Sequence, residues 1–316
     1  MSLRVVTDPS EEQLAELQAA DPTNPFASVS YAVARRALGA SVALFIEGSV
    51  SSGRHGAFGY IRGRSISRSL EITSAPAPQD GADFWSGVWE FCRKSRIAEV
   101  VVDSYGSRAA VLPTWTVPSK LRDRTEWILS LDGSEQHPLA SNHRRNINKA
   151  RKHGVALAST TDAAAADIHA RLMAASMHRR SERGENVPTI SEQDTRNELA
   201  FLACGAARIY QAVHEGRVVS SMLVLNAPAG AYYHSAGTTP EGMEIGASTF
   251  LVSEIIRDLT NQGRLIFNLG GATSESVGLQ RFKSGFGAQP VPLAAGVYET
   301  ASPLHRKLRA AVRLFR

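Results

Sequence analysis

The chain has little of several things, and each shortage removes a class of protein. Only two cysteines, Cys92 and Cys204, occur among its 316 residues. They lie too far apart for a disulfide framework or a zinc site, so both are expected as buried apolar thiols and no metal is expected. No stretch approaches the roughly 20 apolar residues of a membrane span, and the opening MSLRVVTDPSEEQ lacks the apolar run of a secretory signal. A cytoplasmic protein without a membrane span is the expectation. Acidic residues are missing altogether between Glu135 and Asp162. That gap holds SNHRRNINKARKHGV, residues 141–155, where Arg144, Arg145, Lys149, Arg151 and Lys152 share one helix-length stretch and His143 and His153 flank it.

What is present suits a globular protein. At 43% hydrophobic and 21% charged residues the chain can bury a large core, and its length suggests two domains or one large one. The net charge of +5 is moderately basic. Position matters more than the total, because the surplus gathers in 141–153, in HRRSERG (178–184) and in the tail HRKLRAAVRLFR (305–316). Three such patches can sum to a field that attracts phosphates, while each taken singly also suits a solvated helix face.

Periodicity predicts two passes of a similar plan. In the first, FASVSYAVARRALG (26–39) reads as a helix closed by Gly39, and ASVALFIEG and GAFGYIRGRS read as a hairpin around SVSSGRHG. GADFWSGVWEFCRKS (81–95) follows as a helix with Phe84, Val88, Trp89 and Cys92 at helical spacing, then AEVVVDSYG (98–106) and RTEWILSLDGS (124–134) as strands. In the second pass, 162–180 is predicted helical with Ile168, Leu172 and Ala175 on its apolar face, and 191–203 opens on an N-cap Ser. ARIYQAVHE, RVVSSMLVLN and GAYYHSAGT form an antiparallel meander. A helix over 246–262, a strand at 264–270, a short glycine-punctuated helix, a strand at 290–299 and a basic terminal helix complete the chain. The fold class is therefore α+β, with the third meander strand and the strand at 264–270 expected in parallel through a right-handed crossover. Ligands tend to bind where such strands part. The loop GTTPEGMEIGAS (237–248) enters the crossover helix with amides placed to receive a phosphate or an oxyanion.

Two segments carry a family resemblance. RRNINKARKHGV looks like the RRNIRKAxKxGV signature that starts the second domain of Fem-type transferases, and FNLGGATSESVGLQRFKSGFGAQPV resembles their FDxGG…GLxxFKxxFG segment. The two are spaced as that family spaces them. The chain thus resembles the Fem-type aminoacyltransferases and the CelD-like acetyltransferases of the GNAT superfamily. The resemblance implies tandem GNAT-like domains, a degenerate one over 1–136 and a catalytic one over 137–299, with the tail 300–316 packing on the first. It also implies an enzyme that transfers an acyl group to an amine. In one branch the donor is aminoacyl-tRNA and the acceptor a peptidoglycan precursor, a peptide or a small metabolite; the other branch uses an acyl-CoA such as acetyl-CoA. No tightly bound cofactor is implied by either.

Acyl transfer builds negative charge on a carbonyl oxygen and asks for a fixed cation or amide donors near it. Lys283 in LQRFKSGFG is the candidate, flanked by Phe282 and Phe286, which anchor the backbone, and by Gly285 and Gly287, which let it turn. The Fem-type pattern assigns this lysine to the oxyanion; the plain alternative is a surface lysine at a helix end. Arg144, Arg145, Lys149 and Arg151, with Gly246 and Ser248 at the crossover helix, are expected to bind a donor phosphate. Ser141 or Asn142 would cap the helix that carries the first four, and some of its arginines would alternatively pair with Asp103 or Asp132. Arg179, Arg180 and Arg183 would hold phosphates of an acceptor such as a UDP-linked precursor. Tyr233 is the meander tyrosine expected to face the cleft, and His234 is the candidate base, against a packed strand histidine as its plain alternative.

The choice of donor turns on MEIGAS. Acyl-CoA enzymes of this fold usually carry Q/R-x-x-G-x-G/A there, whereas this chain has Met243 and Ser248 at the two ends. The degraded cradle and the basic patches favour aminoacyl-tRNA. Acetyl-CoA stays open as the alternative donor, and a non-catalytic nucleic-acid or headgroup binder as another class. No heptad stretch lies between 162 and 205, so the coiled-coil arm of some cross-bridge enzymes is not expected.

Overall fold

The structure, a computed structural model, describes residues 3–47, 55–64, 67–78, 81–114, 116–133, 138–185, 191–272 and 275–300. Residues 49–54 of the expected SVSSGRHG turn and the basic terminal helix lie outside the described residues, while His55 and Gly56 already belong to a strand paired with Glu47 and Ile46. The chain divides into two compact units, one of residues up to 125 together with those from 291, the other of residues 126–290.

The first unit holds β1 (Arg4–Thr7), α1 (Glu11–Gln18), α2 (Val29–Ala37), β2 (Ser41–Glu47), β3 (His55–Arg62), β4 (Ser69–Ile72), α3 (Gly81–Lys94) and β5 (Glu99–Val102). Its strands run in the order β1-β2-β3-β4-β5, antiparallel except for the parallel pair β4 and β5 that α3 connects. The closing strand of the described chain, β12 (Gln289–Glu299), pairs antiparallel with β5. Ser10 caps α1 in a reciprocal capping box with Gln13. On α3 the buried stripe is Phe84, Trp85, Val88 and Cys92, so Trp85 takes the core place expected of Trp89, and its indole Nε1 donates to Val111 O at 3.0 Å. Burial pushes the Cys92 thiol up to about 12, which makes it inert. Cys204 ends a helix and is only partly buried. Asp103 pairs with Arg122 at 2.7 Å and the Asp132 carboxylate accepts from Ser130 Oγ at 2.8 Å.

In the second unit, β6 (Lys120–Ser130) enters from the first and is followed by α4 (Ser141–Lys152), β7 (Ala156–Thr160), α5 (Ala163–Glu182), α6 (Glu192–Ala203), β8 (Ala207–His214), β9 (Arg217–Asn226) and β10 (Gly230–Thr238). After these come α7 (Pro240–Glu244), α8 (Ala247–Asn261), β11 (Ile266–Gly271) and α9 (Val277–Ser284). The strand order is β6-β11-β10-β9-β8-β7, and β10 and β11 are parallel neighbours joined by α8. The short helix α7 occupies part of what the sequence suggests is a loop. Thr239 caps it through the Gly242 amide, with Pro240 at its first position.

The face of α5 differs from expectation. Ala165, Ala166, His169 and Met173 are its buried residues, while Ala175 is exposed. A Cβ on Gly237 of β10 would lie 2.3 Å from the Leu172 carbonyl carbon, so helix and strand touch backbone to backbone there and the strand needs a glycine.

A bulge in β10 then sets which side chains reach which layer. Tyr233 pairs with Val224 and Ser235 with Leu223, which leaves His234 as an extra residue. Tyr233 and Ala236 consequently pack on the core under α8 and α4, and Ser235 turns toward α5 and α6. There a polar cluster forms. His169 contacts Ser221 Oγ through Nδ1 at 2.9 Å and Ser235 Oγ through Nε2 at 2.8 Å, and Ser235 donates to Glu198 Oε1 at 3.3 Å.

Burial pushes the Glu198 carboxyl up to about 7 and the His169 imidazole down to about 4. Between about 4.5 and 7 the folded chain keeps a proton on Glu198 that the unfolded chain has released, so this group's contribution to stability falls as pH rises. Between about 4 and 6.5 folded His169 lacks a proton that the unfolded chain holds, so its contribution rises with pH. The two oppose each other. Glu198→Gln should therefore make the thermal midpoint rise more with pH across that range than it does in wild type, and His169→Gln should make it rise less. Thermal melts of both variants between pH 4 and 7 check this, and parallel profiles would contradict it.

Candidate active site

Parallel pairing of β10 with β11 lasts three residues, Gly230–Tyr232 against Ile266–Asn268. Beyond them β10 stays with β9 to Thr238 while β11 turns with β6, where Gly271 pairs with Glu126. The strands part. A buried brace holds the parting: Glu126, wholly buried, accepts from Tyr232 Oη at 2.9 Å and from Asn268 Nδ2 at 2.8 Å, and Asn268 Oδ1 accepts from the Gly270 amide at 2.8 Å.

Lys283 stands at that gap. It is 3% exposed, so it is not a surface lysine at a helix end. Its ammonium donates to Gly271 O at 2.6 Å and lies 6.0 Å from the Tyr233 ring centroid. A lysine this buried keeps its charge only among acceptors or π faces, and both are present.

Beside Tyr233 lies a cavity of about 200 Å³. The end of α5 supplies Ser176, Arg179, Arg180 and Arg183 to its wall, β10 supplies Tyr233, Ala236 and Thr238, and Ser248, Met243 and Phe282 complete much of the rest. Arg179 donates to Ser176 Oγ at 2.9 Å and to Thr238 O. Arg180 and Arg183 share the Glu185 carboxylate, each at 2.7 Å, and their hydrogen bonds hold its carboxyl below the usual carboxylate range. The wall thus combines guanidinium groups with one tyrosine ring and apolar side chains. Such a lining accepts an anionic or planar polar group.

The other residues singled out by sequence lie elsewhere. Gly246 has φ +80°, and a Cβ there would fall 2.6 Å from Asn146 O, so its glycine admits the backbone of α4 rather than lining the cavity. Ser248, two residues on, does line it. His234 is exposed on the bulge with its ring 5.9 Å from Phe201, outside the cavity lining. On α4 the side chains of Arg144, Arg145, Lys149 and Lys152 are exposed. Arg151 pairs with the buried Glu254 of α8 at 3.0 Å, so its partner comes from its own unit and is neither Asp103 nor Asp132. The helix begins one residue earlier than its capping residues suggest. Ala140 is the N-cap and makes no side-chain bond, while Asn142 Oδ1 accepts from the His143 amide at 2.9 Å.

Residues 139–284 match the family model of the acetyltransferase (GNAT) domain. The second unit is a GNAT acyltransferase domain. The match runs from just before α4 to the last residue of α9, so the basic helix, the parting strands and Lys283 all belong to the GNAT domain. No curated protein matches the chain. Among solved structures, FemX shares the fold with a TM-score of 0.64 at 12% identity, over 97% of this chain and 99% of that one. A conserved protein of unknown function from Bacteroides thetaiotaomicron is similar with a TM-score of 0.56 at 12% identity, over 93% and 100%. L-PGS from Bacillus licheniformis is similar with a TM-score of 0.52 at 13% identity, over 97% of both chains. The fold likeness to FemX covers both units. With its GNAT domain the protein is an acyltransferase.

Several residues that build the GNAT domain's site escape the pattern of the sequence. Glu126 carries a usable signal, a lone carboxylate inside the strand TEWILSL, where only a buried hydrogen-bond partner justifies a charge. Asn268 and Tyr232 carry weaker ones, since polar tips on buried strands are common. His143 looks like one more cation in a basic run, yet it is 3% exposed.

Proposed function

We propose that this acyltransferase forms an amide by moving an aminoacyl group from aminoacyl-tRNA to an amine acceptor, with Lys283 as the oxyanion cation. The observation that carries it is the Lys283 ammonium, buried at the parting of β10 and β11 beside the Tyr233 ring. The amine nitrogen attacks the ester carbonyl carbon, the carbonyl π pair moves onto oxygen, and the ammonium stabilises that charge. Collapse reforms the carbonyl and breaks the bond to the ribose oxygen. That oxygen departs with a proton equivalent to the one the amine loses, so no external acid or oxidant is needed.

The exposed Arg144, Arg145, Lys149 and Lys152 on α4 support tRNA as donor, because four solvent-facing cations share one helix without a neighbouring carboxylate in sequence. Arg179, Arg180 and Arg183 would take a phosphate or carboxylate of the acceptor, which suits a UDP-linked precursor, a peptide or a small acidic metabolite. Acyl-CoA is the second reading. Ser248 favours it, since it lines the cavity from the first turn of α8, where a pyrophosphate would meet amides.

Charged tRNA pools with candidate amines, and acyl-CoAs with the same amines, separate the two. RNase-sensitive product supports the first reading, and product that requires acyl-CoA with tRNA inert overturns it. Replacing Arg144, Arg145 and Lys149 together by Ala should raise KM for charged tRNA and lower the slope of log affinity against log salt by about 3. Affinity measured between roughly 50 and 200 mM salt checks this. An unchanged slope would remove α4 from the donor site.

A further inference from the structure

His143 stands apart from the basic residues around it. It lies in the first turn of α4, yet it is buried while Arg144 and Arg145 beside it are exposed. Its Nε2 is 2.8 Å from the backbone carbonyl oxygen of Phe282, and its Nδ1 is 3.2 Å from Asn142 Oδ1. A carbonyl only accepts, so Nε2 carries the hydrogen. The ring also packs edge-on against Phe286, with centroids 4.4 Å apart, and lies 5.5 Å from Phe282.

The same ring explains Gly285. Backbone φ there is −64°, which any residue adopts, so the glycine is not required by a tight turn. A Cβ, however, would lie 2.6 Å from both Cε1 and Nε2 of His143. Glycine is present because the imidazole occupies that space. A second tie runs from the Ala140 amide to Gly285 O at 2.9 Å. The last turn of α9 therefore rests on the start of α4 through one ring and one backbone bond. The carbonyl that the ring holds belongs to the residue immediately before Lys283.

We propose that His143 is a positioning residue for acyl transfer. It clamps the Phe282 carbonyl and the Gly285 backbone, and so fixes the turn that presents the Lys283 ammonium at the parting of β10 and β11. It also joins that lysine rigidly to the basic face of α4. The proposal rests on the assignment of Lys283 to the oxyanion, and His143 acts only through it.

Three variants test the clamp, assayed with whichever donor yields product. His143→Phe keeps an aromatic ring and removes the N–H; His143→Gln keeps an N–H donor and removes the ring. The Phe variant should lose about tenfold in kcat, as expected when one hydrogen bond is removed, with KM for the donor nearly unchanged. Gln should recover most of that loss. In a Lys283→Ala background His143→Phe should cost nothing further, because the group it positions is already gone. Wild-type kcat in the Phe variant overturns the proposal, as does the same tenfold loss in both backgrounds. So does loss in both variants in proportion to their unfolding midpoints, which is what core packing alone predicts. If Lys283→Ala proves fully active, the oxyanion assignment has failed independently, and hydrogen exchange then decides the clamp. Exchange of the Phe286 and Gly287 amides, which bond to Lys283 O and Ser284 O, should quicken in His143→Phe. Unchanged exchange overturns the clamp even so. Should the Phe variant fail to fold, the Gln variant carries the same kcat and exchange measurements.

Discussion

Lys283→Ala is expected to lower kcat on the order of a hundred- to a thousandfold, about 3 kcal/mol of lost transition-state stabilisation, with much less change in KM. The asymmetry follows from when the charge appears. A ground-state acyl carbonyl is only weakly polar, whereas the tetrahedral intermediate of acyl transfer carries a full negative charge on the same oxygen. An ammonium that is 3% exposed and already oriented by Gly271 O needs no reorganisation to meet it. Lys283→Met fills a similar volume without the charge and should behave like Ala, while Lys283→Arg should keep a measurable fraction. Single-turnover rates with saturating donor check the series. If Met retains wild-type rate, charge is not what the position supplies.

Glu126→Ala should be the most damaging of the uncharged replacements near the gap. It strips the acceptor from two buried donors, Tyr232 Oη and Asn268 Nδ2. Each donor left unpaired costs about 1–3 kcal/mol, so a loss of about 2–6 kcal/mol is expected. Glu126→Gln restores one carbonyl acceptor and should lie between Ala and wild type. Denaturant midpoints at constant slope measure this. Activity should fall with stability in Ala and more than stability in Gln, because the amide also disturbs where β11 leaves β10. An Ala variant as stable as wild type would mean that the brace carries no net energy.

Much of the architecture was legible because it is written in periodicity. The meander strands β8, β9 and β10 match their expected runs almost residue for residue, and the crossover helix α8 differs from its expected span by a residue at either end. The Gly/Pro turns between those strands leave little freedom, and apolar alternation does the rest. Short strands were not legible. β1, β4 and β7 have only four or five residues each, too few for a pattern to emerge. The misjudged face of α5 shows a deeper limit. Hydrophobicity points to Ile168 and Leu172, but the helix meets the sheet backbone to backbone at Gly237, and its buried side carries His169, whose partners Ser221 and Ser235 come from distant strands. His143 is a similar case, since its role depends on a glycine and two phenylalanines more than a hundred residues away.

At the cleft, the lining brought together what the sequence held in separate segments: Arg179, Arg180 and Arg183 from one helix, Tyr233 from a strand and Ser248 from another helix. Such convergence is a property of three dimensions. Residue types announce the chemistry, but only the packing of α5, β10 and α8 decides which of them share a wall.

The bulge at His234 has a bearing on how this strand can change length. Because Tyr233 and Ser235 already sit opposite consecutive residues of β9, His234 is surplus to the ladder. Losing that one residue would leave every remaining side chain of the strand in its present place, whereas losing a neighbour would put His234 in that neighbour's place in the ladder. Tolerance of a deletion is thus concentrated at a single site in β10, one step along the chain from the tyrosine that faces the lysine.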